Sequence, residues 1–180
     1  MAYFWSRRFC GLLLALLVAA CGPIMVESDP ATFRVPADAA AQVRGQQNLV
    51  LKNAYEKETL AMIFAPRPGR LQADLRQYTE TAITLLGGEM TGKGINLSPQ
   101  AAKSVTLRVR DVRVDYTPIP LLNKYDSSLV LEAQYGDGTK SVIATDNDSP
   151  GGYSRAVSGA IMFAVTRLLR DENFLAYVNR

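Results

Sequence analysis

Val105-Thr106-Leu107-Arg108-Val109-Arg110-Asp111-Val112-Arg113-Val114-Asp115-Tyr116 is the stretch from which the fold can be read. Val105, Leu107 and Val109 alternate with Thr106, Arg108 and Arg110, the period of two expected of a strand with one buried face. The phase then slips by one residue, because Val112, Val114 and Tyr116 fall on even positions. A β-bulge near Arg110-Asp111 would return them to the core side, so the stretch reads as one long bent strand. Leu129, Leu131, Ala133 and Tyr135 alternate again, and Gly136-Asp137-Gly138 supplies the turn into a partner from Lys140 to Thr145. Three consecutive strands with short connections imply an antiparallel meander.

Helical patterns flank the meander. Upstream, Leu71, Leu75, Tyr78, Ala82 and Leu85 recur at steps of four and three and share one helix face, with Gly87-Gly88 expected to end the helix. Downstream, Ser149-Pro150-Gly151-Gly152 precedes a second helix from about Tyr153 to Arg170. Its apolar face of Ala156, Val157, Ala160, Ile161, Ala164, Val165 and Leu168 is rich in small residues suited to close packing on a sheet. Asp171 can cap a final short helix that buries Phe174, Leu175 and Val178. Asn48 to Ala54 reads as the first core strand, and Thr59 to Phe64 as another that stops before Pro66 and Pro68. The predicted class is therefore α+β: an antiparallel β-meander sheet with two long helices packed on one face, in a single domain over residues 48–180.

The amino-terminal fifth has a different character. Ser6-Arg7-Arg8 precedes the apolar run from Leu12 to Ala20, and Cys21 follows. A basic segment, a short apolar core and small residues form the pattern of an export signal, and the core is too short to span a bilayer comfortably. Val18-Ala19-Ala20-Cys21 resembles the lipobox of bacterial lipoproteins. That resemblance implies cleavage before Cys21, recognised through Val18, Ala19 and Ala20, and lipidation of Cys21. It also implies a domain held by acyl chains at a membrane facing the periplasm, and Gly22 in place of an aspartate favours the outer membrane. An ordinary signal peptide or an uncleaved anchor is the plainer reading. Residues 1–20 are thus expected to leave. Residues 21–47, with Pro23, Pro30 and Pro36, read as a flexible tether, in which Thr32-Phe33-Arg34-Val35 could instead form an edge strand.

Composition narrows the chemistry. The formal charge is +3, and loss of Arg7 and Arg8 with the signal leaves +1, too little for the concentrated basic face that nucleic acid requires. The chain has no histidine, which removes the commonest general base and metal ligand. Its two cysteines, Cys10 and Cys21, fall to the signal and the lipid, so no disulfide is available to the mature monomer. No metal or cofactor is expected.

Three segments invite a site. Gly87-Gly88-Glu89-Met90-Thr91-Gly92-Lys93-Gly94 has the glycine and lysine spacing of a phosphate-binding loop, but Gly94 stands where the magnesium-binding hydroxyl belongs and the segment follows a helix instead of a strand. Asp146-Asn147-Asp148 starts like a calcium loop, yet Pro150 and Val157 occupy ligand positions. Thr117-Pro118-Ile119-Pro120-Leu121-Leu122 joins two strands with apolar residues that neither period places inside. Ile119, Leu121 and Leu122 either contact a partner or cover one end of the core, and Met62-Ile63-Phe64-Ala65-Pro66 poses the same choice.

Together, the lipobox, the proline-bearing tether, the helix ending in Gly-Gly-Glu-Met-Thr-Gly-Lys-Gly, the Val105 strand, the Gly-Asp-Gly hairpin and the terminal Asp171-Glu-Asn-Phe-Leu-Ala-Tyr-Val-Asn-Arg resemble the YajG-like family of bacterial lipoproteins. The resemblance implies an outer-membrane lipoprotein and supplies no catalytic residues. The expected function is a lipid-anchored, non-catalytic interaction domain in the envelope, bound to the membrane through its lipid and able to take an envelope protein as partner. An auxiliary or ring-forming subunit of a transport or export machine is the alternative. A carboxylate-dependent enzyme is the third, and Asp111, Asp115 and Glu132 would have to supply its chemistry.

Overall fold

The computed structural model describes residues 23–44, 47–64, 71–119 and 122–180. The Val105 stretch belongs to a strand from Lys103 to Ile119, which is the spine of the domain. Numbered along the chain, the strands are β1 (Ile24–Met25), β2 (Asn48–Asn53), β3 (Leu60–Phe64), β4 (Leu71–Asp74), β5 (Asn96–Leu97), β6 (Lys103–Ile119), β7 (Leu122–Tyr135) and β8 (Lys140–Ser149). The helices are α1 (Leu75–Gly92), α2 (Tyr153–Leu168) and α3 (Glu172–Val178).

The phase slip in β6 is a bulge. Pairing with β7 shifts between Val109 and Asp111, leaving Arg110 as the extra residue, and Val105, Leu107, Val109, Val112 and Val114 are all buried. β6, β7 and β8 form the expected antiparallel meander, with Gly138 at φ +88 in the second turn. The sheet as a whole is mixed, in the order β5-β2-β6-β7-β8, because β2 runs parallel to both β6 and β5. Parallel neighbours need a long crossover, and the chain between β2 and β5 supplies it through α1.

α1 and α2 both lie on the core face of this sheet. The Thr79 hydroxyl accepts from the Val109 amide at 3.0 Å, while a Cβ on Gly87 would meet Leu97 Cδ1 at 3.2 Å and Leu51 Cδ1 at 3.6 Å. Gly87 therefore does not end α1 as expected; it lets the helix close on β2 and β5. The stop comes at Lys93. Gly94, at φ +84, donates to the Thr91 carbonyl at 3.0 Å and Ile95 donates to the Met90 carbonyl at 3.1 Å, the paired bonds of a Schellman motif, and Ile95 is buried behind them. The start also differs from the periodic reading. Leu71 and Ala73 are buried in strand β4, and the Asp74 carboxylate opens the helix by accepting from the Arg76 and Thr59 amides, both at 2.9 Å.

α2 packs over β7 and β8. Ser127 Oγ donates to the Ala156 carbonyl at 2.8 Å, Asn147 Nδ2 donates to the same carbonyl at 2.8 Å, and Thr145 Oγ1 donates to the Ala160 carbonyl at 3.0 Å. At the outer edge of β8, the Arg167 guanidinium donates to the Ala144 carbonyl at 2.6 Å. The Asp171 cap forms as expected, accepting from the Phe174 amide at 3.0 Å and from Ser141 Oγ.

Residues 23–44 correct the expectation of a flexible tether. Val26, Val35, Ala39, Ala40 and Val43 are buried, so this part of the stretch is laid on the body. Tyr78 donates to the Val26 carbonyl at 2.7 Å, Ser28 bonds the Thr81 hydroxyl at 2.7 Å, and the Asp29 amide donates to Ser158 Oγ at 3.0 Å. The edge strand imagined at Thr32–Val35 is absent; the strand in this region is β1, which pairs parallel with β4. No local pattern announces this, because the burial of Val26, Val35, Ala39, Ala40 and Val43 depends on distant parts of the chain and not on any local period. β1, β4 and β3 make a second, three-stranded sheet in the order β1-β4-β3.

Candidate functional site

The lipidation call on Cys21 and the cleavage call on Val18, Ala19 and Ala20 lie outside the described residues, as do Leu121, Pro66 and Pro68. Ile119 closes β6, pairs with Leu122 and is 43% exposed. The stem below this tip is stiffened by rings: Tyr116 and Tyr125 lie 5.3 Å apart, and Tyr153 at the start of α2 meets Tyr125 edge-on at 4.7 Å. Tyr116 also donates to Asn123 Oδ1 at 2.8 Å. Burial, then the neighbouring Tyr125 and Tyr116 phenols, push the Tyr153 phenol above its ordinary value. The described end of the β6–β7 hairpin is thus braced, and Ile119 is exposed there.

The solvent face of the large sheet carries the carboxylates. Asp115 stands opposite Asp126, which stands opposite Asp148, so three acidic residues cross adjacent strands in one row. Lys124 ties the row, at 2.9 Å from Asp126 and 3.5 Å from Asp148. A depression of about 620 Å³ is bordered by this row, Asp146 and Phe163. The three carboxylates considered for catalysis are not gathered there. Asp111 pairs with Arg113 at 3.2 Å, and Glu132 with Arg110 at 3.1 Å. Asp115 lies opposite Asp126, six residues along β7 from Glu132, roughly 20 Å at strand rise and beyond the reach of a cooperating carboxylate pair. Among the described residues no group of three or more His, Cys, Asp or Glu is arranged to hold a metal.

The phosphate-loop-like segment is spent on the end of α1 and its Schellman turn, and Asp146-Asn147-Asp148 lies inside β8. A shallow apolar hollow of about 670 Å³ runs between α1 and the β2–β5 edge, bordered by Leu49, Leu51, Ile83, Leu97 and Pro99.

Sequence reasoning left open a further apolar surface. In the small sheet Met25, Gln72 and Met62 are register partners across β1, β4 and β3, and Leu60 lies two residues from Met62 on the same face. Met25 is 42% exposed, Leu60 52% and Met62 56%, whereas Ile63, of opposite phase in β3, is buried. The strand itself is expected from Thr59 to Phe64, but its apolar run Leu60-Ala61-Met62-Ile63 has no alternation to say which side chains face solvent. Among the described residues no helix is long and apolar enough to cross a membrane.

No protein-family model matches the chain, and no curated relative matches it. Among solved structures, it is similar to a DUF330 protein from Xanthomonas campestris, at 15% identity and TM-score 0.47 over 87% of this chain and 93% of that one. It is also similar to a minor lipoprotein from Acinetobacter baumannii, at 13% identity and TM-score 0.37 over 75% of this chain and 95% of that one.

Proposed function

We propose that the chain is an exported lipoprotein, anchored through Cys21 in the outer membrane, whose periplasmic α+β domain is a non-catalytic interaction module of the YajG-like kind. The observation that carries this reading is the order of basic segment, short apolar run and Val18-Ala19-Ala20-Cys21. Several acyl chains on one cysteine give a stable hold on a bilayer, since each buried methylene contributes about 0.8 kcal/mol. The ion pairs that occupy Asp111 and Glu132, and the placing of Asp115 far along the sheet from Glu132, favour an interaction module over an enzyme. Cys21→Ala is expected to abolish processing, so that full-length precursor accumulates in the inner-membrane fraction. Mature-size protein in the outer-membrane fraction from that variant would refute the anchor.

The braced β6–β7 projection favours an accessory role in an envelope transport or export machine, with Ile119, Leu121 and Leu122 as its contact. Photo-crosslinking from position 121 in cells is expected to capture one discrete protein. Recovery of uncrosslinked monomer alone would argue that the tip has no partner.

A further inference from the structure

We infer that the outer face of the small β1-β4-β3 sheet, presenting Met25, Leu60 and Met62, is seated on the lipid leaflet that holds the anchor; this rests on the lipid-anchor reading of Cys21. The argument is one of reach. β1 is itself a strand of this sheet, and Ile24 and Met25 are fixed to it by pairing with Leu71 and Gln72. The three residue steps from Cys21 to Ile24 span at most about 10 Å even when fully extended. Acyl chains on Cys21 must enter the bilayer within that distance of the sheet. Immediately after β1 the chain is pinned between the helices by the Tyr78–Val26, Ser28–Thr81 and Asp29–Ser158 bonds, so the domain has no slack with which to stand away from the surface.

The residues within reach suit a lipid interface. Met25, Leu60 and Met62 are 42%, 52% and 56% exposed and lie along one face of a sheet whose opposite face is buried through Leu71, Ala73 and Ile63, while Ile24, in register with Leu71, adds an exposed apolar side chain at the edge nearest the anchor. Methionine is unbranched and adaptable, which fits an irregular boundary of headgroups and acyl chains better than a shaped protein pocket. Two polar side chains of β4 are already engaged. Gln72 Nε2 is 3.5 Å from Met62 Sδ, and Asp74 is spent on the Thr59 and Arg76 amides, so partial dehydration of β4 does not strand its carboxylate, while the exposed Glu27 and Glu58 stand just beyond the ends of β1 and β3, where they can stay in water.

The test uses the full chain, expressed with its own export signal and reconstituted into vesicles of phosphatidylethanolamine and phosphatidylglycerol. A nitroxide is attached at Met62→Cys or Leu60→Cys, with Val142→Cys on the far β8 edge as reference and the parent chain as thiol control. The expected result is no labelling of the parent, because Cys21 is acylated. The relaxation enhancement by oxygen relative to a water-soluble nickel chelate should be severalfold higher at positions 60 and 62 than at 142. Equal ratios at all three sites, with the parent unlabelled, would overturn the seating while leaving the anchor intact. An immobilised label with a water-like ratio would show a protein surface over the face and would overturn it equally. Labelling of Cys21 in the parent would remove the anchor, and the seating with it.

Discussion

Phe174→Ala is expected to cost about 3–5 kcal/mol of unfolding free energy, the range for deleting a buried aromatic ring, measurable as a lowered denaturant midpoint with unchanged slope. Phe174 is fully buried in α3, 6.2 Å from the Tyr135 ring, which in turn stacks on Tyr177 at 5.0 Å. The loss should spread, because α3 acts as a clasp on three other parts of the chain. The Tyr177 hydroxyl accepts from the Ser104 amide at 3.0 Å and the Gly136 amide at 3.2 Å, which holds the start of β6 to the β7–β8 turn. Asn179 accepts from the Arg44 amide at 2.8 Å and donates to the Gln42 carbonyl at 3.0 Å. A variant as stable as the parent would show that α3 is an appendage and not part of the core.

Tyr78→Ala should be comparably damaging, again about 3–5 kcal/mol for the ring, and it also leaves the Val26 carbonyl without its partner. Tyr78 is fully buried in the second half-turn of α1, and burial holds its phenol well above the usual range, so the hydroxyl serves as a donor throughout the physiological range. Tyr78→Phe separates the two effects. It keeps the ring and removes only the hydrogen bond, a change of about 1 kcal/mol in global stability. Limited proteolysis should nevertheless cut the Phe variant faster between Val26 and Val35 than the parent, since that segment is held by few bonds and opens locally. Equal cleavage rates would mean that apolar burial of Val26 and Val35 alone fixes the segment.

Local patterns in the sequence announce some parts of this fold and leave others silent. The bulge at Arg110 was readable because alternation is local: when side chains must face the core at every second residue, a phase slip has one simple cause. The Asp171 cap and the Gly136-Asp137-Gly138 turn were readable for the same reason. The parallel placement of β2 beside β6 was not, since pairing between strands some fifty residues apart leaves no trace in either one's period. Gly87 misled because glycine breaks helices on propensity and also admits a close neighbour, and only the position of Leu51 and Leu97 decides between the two. At the functional level the Cys21 motif is written entirely in adjacent residues. The exposed face of Met25, Leu60 and Met62 depends on three strands meeting, and only its β3 part shows in the sequence, as an apolar segment from Met62 that either contacts a partner or covers the core.

The Arg167 guanidinium on the Ala144 carbonyl has a consequence for life at high surface density. β8 ends the large sheet with ten residues and would offer an open row of amides and carbonyls to any neighbour. Arg167 occupies one of those carbonyls, and Asp146 and Asp148 place negative charge along the same rim. At the other end the two-residue β5 covers only Asn48 and Leu49 of β2. Copies held in one membrane plane, as proposed for this chain, would meet edge to edge far more often than copies free in solution, and a guarded β8 rim would then oppose edge-to-edge polymerisation.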